Sequence, residues 1–381
     1  MTYRSTIYPY IIMAALALNN AIVGYRLFDI SFDRIIQLLL FVLLLPGLWR
    51  DIESYGRYRD IFLLFVAMFF CLLAYSLITL VQSGHDWNEI DILRDIVRSF
   101  YFIIILALVN YSIIRNRNSI YIYLAIMFIF VLFGILQHPL TPFTDLVNEI
   151  RMTYFSVNMT PAEFDHATRE IKQLGFYPRS TGPYGFPIAY SYALLSVLIV
   201  TGYQYLLKRQ EIYFYLAILI YIVSFMTHTR SLLISASLIV IYLIYNKSKI
   251  LLALIVSSAF LGLLLFPDSL LLESRLFEKI GNNTTDYSRV NAFSAGLLTI
   301  FEEPLFATEA TYVKNFYFAC SFFDMNECGE LISSHNGFIN IAENSTFFGL
   351  IVFIFLFGYL FYYACLLPRP FRGLFVVSII G

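Results

Sequence analysis

Repeated apolar runs, each about as long as a bilayer is thick, constrain this chain more than any other feature. A helix needs roughly 20 apolar residues to cross the hydrocarbon core of a membrane. Only 13% of the 381 residues are charged, whereas soluble domains have about 25%. We therefore predict an all-α, polytopic membrane protein of about 10–12 transmembrane helices, forming one integral membrane domain over residues 1–381. The expected spans are Ile7–Tyr25, Asp33–Trp49, Ile61–Val81, Ile96–Ile114, Ile120–Gln137, Pro183–Leu207, Ile212–Thr227, Ser231–Tyr245, Ile250–Phe266 and Asn336–Leu366.

The C-terminal apolar run, residues 371–381, differs from the others in its length. It holds about eleven residues, which is too few to cross a bilayer. We therefore expect a last span that this chain contains only in part.

Lysine and arginine are unevenly distributed between the two sets of loops. With the N-terminus in the cytoplasm, the inner segments hold many of them and the short outer loops far fewer, as the positive-inside rule requires. Two long segments, 138–181 and 267–335, then form large outer (periplasmic) loops, and segments of this kind commonly carry function. The inner residues are Arg4, Arg50, Arg57, Arg59, Arg115, Arg117, Lys208, Arg209, Lys247, Lys249, Arg369 and Arg372, and those of the short outer loops are chiefly Arg26, Arg94 and Arg230.

Net charge and cysteine usage exclude some functional classes. A formal net charge of −1 argues against a nucleic-acid partner. None of the four cysteines has a metal-binding or redox spacing. Cys320 and Cys328 share the second outer segment, where an oxidising compartment would allow a disulfide. Two free thiols are the alternative, and the sequence leaves both open.

The stretch "SFMTHTRSLLIS" puts the guanidinium of Arg230 between two apolar runs. An arginine at the end of a membrane helix commonly extends to the water at the bilayer surface. Alternatively, the tight turn and Ser231 set Arg230 beside the N–H groups of a helix N-terminus, which is a good place for a phosphate. Arginine also binds phosphate through two parallel hydrogen bonds.

A second cation, Arg179, precedes a bent span in "YPRSTGPYGFPIAYSYALL". The following Ser180 and Thr181 are good helix N-cap residues, and Pro183 suits a first helical turn. Gly182 lets the backbone bend or lets a ligand approach closely. A cation at the outer mouth of a helix N-terminus is a candidate anion site. A simple cap followed by a proline-kinked span is the alternative.

Polar residues line one face of the last long span, in "SSHNGFINIAENSTFFGL". Asn336, Asn340, Glu343 and Asn344 recur at helical spacing, and His335 opens the span at its outer end. Such a stripe is costly against lipid, so Glu343 indicates an internal polar cavity. Hydrogen bonds between helices are the structural alternative, but they do not explain His335 at the cavity mouth.

An amphipathic helix is predicted over Ser288–Phe301, within the second outer segment. Arg289 lies near its start, where the helix dipole disfavours a cation unless an anion is bound. A solvated arginine on an interfacial helix is the commoner situation. Arg179, Arg230, Arg289 and His335 nevertheless all fall on the predicted outer side, which suggests a site for an anionic headgroup with one general base.

The order of these motifs resembles the O-antigen polymerase/ligase superfamily of bacterial membrane glycosyltransferases. The resemblance covers about Arg179 to Gly349 and rests on "RSTGPYGFP", "THTRSLLIS", "SRVNAF" with "EEP", and "HNGFINIAEN". The sequence departs from the family pattern at Thr229, where a smaller residue is usual, and at Ser345, where glycine is usual. The matching positions are Arg179 with Gly182, Thr227 with Arg230, Arg289 alone, and His335 with Asn336.

This resemblance implies a donor glycan on an undecaprenyl-pyrophosphate carrier, transferred at the outer face of the bacterial inner membrane. The implied partners are this lipid-linked oligosaccharide, the lipid bilayer and a chain-length regulator protein. Arg230 and Arg289, with Arg179 nearby, would hold the pyrophosphate. His335 would take the proton of the acceptor, because imidazole titrates near neutrality. The remaining candidates for substrate binding are Asn336, Asn340 and Glu343.

Three functions remain open at this point. A polymerase, which we favour, joins lipid-linked repeat units, whereas a ligase moves the finished glycan onto lipid A-core. A flippase for the same lipid-linked sugars belongs to another class and is expected to show paired halves and charges deep in many spans. No Asp-x-Asp motif or His/Cys cluster is suitably spaced on the outer side, so we expect a reaction that needs neither metal nor cofactor.

Overall fold

A computed structural model of the chain describes residues 4–19, 21, 26–27, 30–54, 59–60, 62–63, 66–67, 70, 73–74, 89–138, 141–155, 180–184, 187–227, 229–265, 284–304, 309–322 and 337–380. Most of these residues are helical. The β-structure among them is a short antiparallel pair, in which β1 (Arg26–Leu27) bonds to β2 (Ile30–Ser31). Apart from this pair, the predicted all-α class is confirmed for the described part of the chain.

Thirteen α-helices lie within the described residues. A 3₁₀ turn, Arg117–Ser119, precedes the fourth helix, and a π-helical turn, Arg151–Phe155, follows the fifth. The side chain of Asn116 caps the 3₁₀ turn by accepting a hydrogen bond from the N–H of Asn118 at 3.0 Å. The helices are α1 (Arg4–Ala17), α2 (Phe32–Ser54), α3 (Glu89–Arg115), α4 (Ile120–Leu136), α5 (Thr144–Ile150), α6 (Pro187–Lys208), α7 (Glu211–Met226), α8 (Arg230–Lys247), α9 (Lys249–Leu265), α10 (Thr284–Glu302), α11 (Glu309–Phe322), α12 (Gly337–Leu366) and α13 (Arg369–Ile380).

Most of the helices follow the predicted apolar runs, but α1 ends at Ala17 instead of Tyr25 and α3 begins at Glu89 instead of Ile96. The predicted span Ile61–Val81 lies mostly outside the described residues. A further difference lies at the start of α6. The span predicted at Pro183–Leu207 begins only at Pro187. Gly182 has a positive φ of 55°, which a right-handed helix cannot contain, so the chain turns before the helix starts. The amphipathic helix predicted over Ser288–Phe301 lies within α10.

Two of the described helices are long and apolar enough to cross a membrane. They cover Arg117–Leu136 and Ile188–Lys208, and the second is the more buried within the chain. Shorter apolar helices of 10–17 residues accompany them in the described residues. The number of spans, the N-in orientation, the single membrane domain and the outer segments 138–181 and 267–335 all stay predictions.

The chain divides into two compact units, and the first comprises Met1–Leu48, Ala107–Glu278 and Phe361–Gly381. α6 packs against α4, α7, α8 and α13 in this unit. Their buried side chains, including Leu194 and Leu243, form one hydrophobic core. Close packing of these side chains holds the helices of the unit together.

Basic residues gather at one end of the first unit. Lys208, the last residue of α6, donates to the hydroxyl of Tyr121 at the start of α4. Lys247, the last residue of α8, forms an ion pair with Glu211 at the start of α7 and lies 4.1 Å from the ring centroid of Phe214. At this basic end, these contacts join α6 to α4 and α8 to α7. The opposite ends of the same helices carry the polar turn described below.

The second unit comprises Trp49–Leu106 and Lys279–Leu360. α10 and α11 form an antiparallel hairpin within it, because residues late in α10 contact residues early in α11. The small side chains of Ala292 and Ala295 cluster with the ring of Phe316, and all three are fully buried. Small residues at this crossing allow the two helices to approach closely.

Cys320, near the end of α11, is disulfide-bonded and buried. Cys328, the partner that the sequence suggests, lies outside the described residues, so the identity of the pairing stays a prediction. Cys365, on α12, is a free thiol.

Tyr190 leaves no room for a side chain at Gly134 of α4. A Cβ at Gly134 would overlap the hydroxyl oxygen of Tyr190, which donates to the carbonyl of Phe130 at 3.0 Å. We expect Gly134→Ala to lower the midpoint of thermal unfolding in detergent, because overpacking costs about 1–3 kcal/mol. Gly358→Ala is the matched control, since a Cβ at this helical position meets open space. A midpoint lowered equally by both variants would contradict this packing.

Candidate functional site

The side chain of Gln137, the residue after α4, holds a turn of the chain in place. Its Oε1 accepts hydrogen bonds from the N–H groups of Thr181 and Gly182, each at 2.9 Å, and from the hydroxyl of Ser180 at 3.1 Å. Its Nε2 donates to Oδ1 of Asn148 at 2.9 Å and to the hydroxyl of Thr181 at 3.0 Å. Buried polar groups need such partners. One carboxamide therefore fixes this turn, residues 180–184, against the end of α4 and against α5.

The same turn contacts the end of α7, which leads into the α7–α8 hairpin. The N–H of Ser180 donates to the carbonyl of Met226 at 2.7 Å. The hydroxyl of Ser191, near the start of α6, donates to the hydroxyl of Thr229 at 2.8 Å. Thr229 is the N-cap residue of α8. The structure thus brings together the chain segments of two predicted arginine motifs that lie far apart in the sequence.

Gly182 adopts the left-handed conformation, with a φ of 55°, which glycine reaches at little cost. A Cβ here would meet the ring of Tyr190 at 2.6 Å, so a protein side chain rather than a ligand fills the space beside this glycine. The expectation that Ser180 and Thr181 cap the following helix is wrong. Their hydroxyls bond to Gln137 instead, and α6 begins further along the chain.

Arg151 is a buried cation beside this turn. Its Nε donates to the carbonyl of Tyr184 at 3.2 Å, and only 1% of the residue is exposed. Burial lowers the pKa of Arg151 to about 10, because desolvation disfavours the charged guanidinium. The group nevertheless stays charged at neutral pH. It supplies a fixed positive charge at the end of the unit where the two arginine motifs meet.

The predicted site residues belong to different parts of the structure. Asn340 and Glu343 are three residues apart in α12, so they share one face of that helix. Arg179, His335 and Asn336 lie outside the described residues. The backbone alone is described for Arg230 at the start of α8, Arg289 in α10, and Asn340 and Glu343 in α12.

The two arginine motifs that meet at the turn, those of Arg179 and Arg230, both belong to the first unit. Arg289 and Glu343 belong to the second unit. The roles of all these residues in substrate binding or catalysis stay predictions.

A groove of about 630 Å³ lies at the basic end of the first unit. This end carries Lys208 and is opposite to the turn that Gln137 holds. The groove is therefore separate from the candidate site. Its lining residues are Tyr10, Asn118, Tyr121, Ile122, Ala125 and Ile126.

Sequence reasoning does not single out Gln137, Asn148 or Arg151. Gln137 appears in the sequence as the polar end of an apolar run, and Arg151 as one charge among several in an outer segment. One feature of the sequence does indicate that such a partner is needed. The Ser-Thr-Gly turn has backbone groups that must find partners once the turn is buried, and a glutamine is suited to accept from several donors at once.

In the part of the chain that the structure describes, no group of three or more His, Cys, Asp or Glu side chains could hold a metal ion. Because His335 and much of the second outer segment lie outside that part, the expected metal independence stays a prediction.

Comparisons with known proteins give no independent assignment. No protein-family model matches the chain, and no characterised protein or solved structure is significantly similar to it. The resemblance to the O-antigen polymerase/ligase superfamily therefore rests on the order and spacing of the motifs.

Replacing Gln137 by leucine should destabilise the turn, because the N–H groups of Thr181 and Gly182 lose their acceptor. A buried N–H left without a partner costs about 1–3 kcal/mol. We expect Gln137→Leu to lower the midpoint of thermal unfolding in detergent more than Gln37→Leu does. Gln37 is also buried, but its amide donates to a single backbone carbonyl, that of Ala15, at 3.1 Å. A smaller loss for Gln137→Leu would show that the turn does not depend on this side chain.

Proposed function

We propose that the chain is an O-antigen or surface-polysaccharide polymerase. It transfers an undecaprenyl-pyrophosphate-linked glycan onto a lipid-linked repeat unit at the outer face of the bacterial inner membrane. The observation that carries the proposal is the contact between the two arginine motifs of the first unit. The residue after Arg179 bonds to the end of the helix that precedes Arg230, through the 2.7 Å hydrogen bond from Ser180 to Met226.

The charge distribution supports a site on the outer side. Lys208 and Lys247 lie at the end of the first unit that is opposite to the turn. Positively charged ends of membrane helices favour the cytoplasm. The turn and the α7–α8 hairpin would then face outwards, where Arg151 adds a buried positive charge.

The disulfide of Cys320 supports the same orientation. Disulfides persist in oxidising compartments such as the bacterial periplasm. Cys320 belongs to the segment 267–335, which the distribution of lysine and arginine assigns to the outer side.

The proposed reaction forms one bond to the anomeric carbon of the donor sugar and breaks another. The acceptor hydroxyl oxygen attacks that carbon, and undecaprenyl pyrophosphate leaves with the electron pair of the broken carbon–oxygen bond. His335 takes the proton of the hydroxyl. Arg230 and Arg289, with Arg179 nearby, stabilise the charge that develops on the leaving group. The glycan would be held by Asn336, Asn340 and Glu343.

A ligase is the alternative within the same superfamily. It would use the same donor, the same leaving group and the same base, but its acceptor would be lipid A-core. A cell that lacks the gene would therefore accumulate different products in the two cases. A flippase would transport the lipid-linked glycan without forming any glycosidic bond.

Arg230→Ala and His335→Ala are expected to abolish polymerisation while leaving the protein in the membrane. Loss of one preorganised group that stabilises developing charge costs about 10²–10³-fold in rate. The measurement is a gel of surface lipopolysaccharide from a host that lacks the gene and carries each variant, with an immunoblot of the membrane fraction. Arg117→Ala, an exposed arginine at the basic end, is the matched control and should restore the normal ladder.

The banding pattern separates the candidate functions. Lipid A-core bearing a single repeat unit identifies a polymerase. Bare core, with long polymer stranded on the lipid carrier, identifies a ligase. Normal chain lengths from either alanine variant would refute the assigned roles. An unchanged ladder in the strain without the gene would refute both the O-antigen polymerase and the ligase.

A further inference from the structure

The α10–α11 hairpin of the second unit has large apolar side chains on its outer surface. Those on α10 recur every three or four residues, so they form one stripe along the helix. Each of the exposed side chains is between 41% and 76% exposed. They are Val290, Phe293, Leu297 and Phe301 on α10, and Tyr317, Phe318 and Phe322 on α11.

Polar side chains join the two helices on the inner side of the hairpin. The buried amide of Asn315 donates to the hydroxyl of Thr299 at 3.1 Å and to the carboxylate of Glu302 at 3.4 Å. The hydroxyl of Thr311 donates to the carboxylate of Glu303 at 2.7 Å. A hairpin in water turns its apolar stripe inwards. Polar contacts and small residues between helices, with large apolar residues outside, are typical of helices next to lipid.

We propose that this hairpin lies flat on the outer leaflet of the bilayer, with its exposed apolar surface in contact with lipid. The proposal rests on the proposed function in assigning the segment 267–335 to the outer side and in the role of Arg289. The stripe runs from Val290 to Phe301, which is about 17 Å at 1.5 Å per residue. If the axis of α10 runs parallel to the membrane surface, this whole length contacts lipid.

A hairpin that pointed into the bilayer would carry its charges into hydrocarbon. Glu302 and Glu303 lie where α10 ends, and Lys314 lies 3.4 Å from the carboxylate of Glu302. Charged groups at that depth are costly. The flat orientation leaves them at the level of the lipid headgroups, in contact with water.

Chain connectivity favours lipid as the occupant of this surface. α9 ends at Leu265 and α12 begins at Gly337, and both are apolar helices that the sequence predicts as spans. The hairpin is therefore tethered near the membrane at both ends. Most of its exposed apolar side chains are aromatic, and aromatic residues are suited to the membrane–water interface.

Contact with lipid gives the hairpin a role in the proposed reaction. Arg289 directly precedes Val290, the first residue of the exposed stripe. The phosphates of a lipid-linked donor lie at the headgroup level of the leaflet. A helix bound at that level holds its N-terminal residues at the same depth, so the hairpin positions Arg289 for the pyrophosphate of the carrier.

Tryptophan fluorescence in brominated lipid tests the contact. Trp49→Phe and Trp87→Phe remove the natural emitters of the full-length chain, and Phe301→Trp then adds one on the stripe. After reconstitution into phosphatidylcholine vesicles, we expect bromination of the acyl chains to quench its emission, because an aromatic residue of an interfacial helix lies at the acyl boundary. Phe293→Trp repeats the test at a second position.

Two further single-tryptophan variants calibrate the quenching. Ile129→Trp, exposed on α4 in a predicted span, should be quenched. Glu149→Trp, exposed on α5 in an outer segment, should keep its emission. Quenching of both stripe variants together with Ile129→Trp, but not of Glu149→Trp, supports the proposal.

Unquenched stripe variants beside a quenched Ile129→Trp would overturn the proposal and leave the membrane assignment intact. Stripe emission that changes with the protein-to-lipid ratio, and not with bromination, would identify a second copy as the occupant and would also overturn it. No glycan takes part in this experiment. Its failure is therefore distinguishable from a failure of the proposed polymerase activity, which the lipopolysaccharide gel measures.

Discussion

The hydrogen bonds of the Gln137 carboxamide are the interaction on which the candidate site depends. Backbone N–H groups that are buried away from water must find acceptors inside the protein. Gln137 supplies one oxygen to Thr181 and Gly182, and its nitrogen reaches Asn148. The last carbonyl of α7 completes the arrangement by accepting from Ser180. Three helices thus meet at one turn, and the two arginine motifs of the first unit are adjacent because of it.

Much of the helical organisation could be predicted, whereas the details of the turn could not. Apolar runs such as Ile120–Gln137 are long and uninterrupted, so hydropathy alone gives α4 to within a residue. The sequence around Pro183 favours a helix start equally well, but tertiary contacts override that local preference. Gln137 is far from the turn in the sequence, and Tyr190 belongs to the next helix, α6. Neither contact can be predicted from the residues around Pro183. The motifs therefore identify candidate residues, and only the fold reveals which motifs meet.

The two ends of the first unit differ in their chemistry in a way that a membrane would explain. One end has ammonium groups, such as that of Lys247, held against aromatic rings and an acid. The other has a buried polar turn and the guanidinium of Arg151. The α10–α11 hairpin of the second unit adds a third feature, since polar contacts such as Asn315 to Thr299 lie inside and aromatic rings outside. Lipid as the surrounding medium would account for all three.

The central claim is that the two ends of the first unit face opposite sides of a membrane. Cysteine labelling tests it in a chain with Cys71→Ser and Cys365→Ser, which retains Cys320 and Cys328. Glu149→Cys and Gln210→Cys add exposed thiols at the turn end and the basic end. In intact spheroplasts, a membrane-impermeant maleimide should label Glu149→Cys at once and Gln210→Cys only after the membrane is disrupted. Labelling of both before disruption, or labelling in the reverse order, would contradict the account.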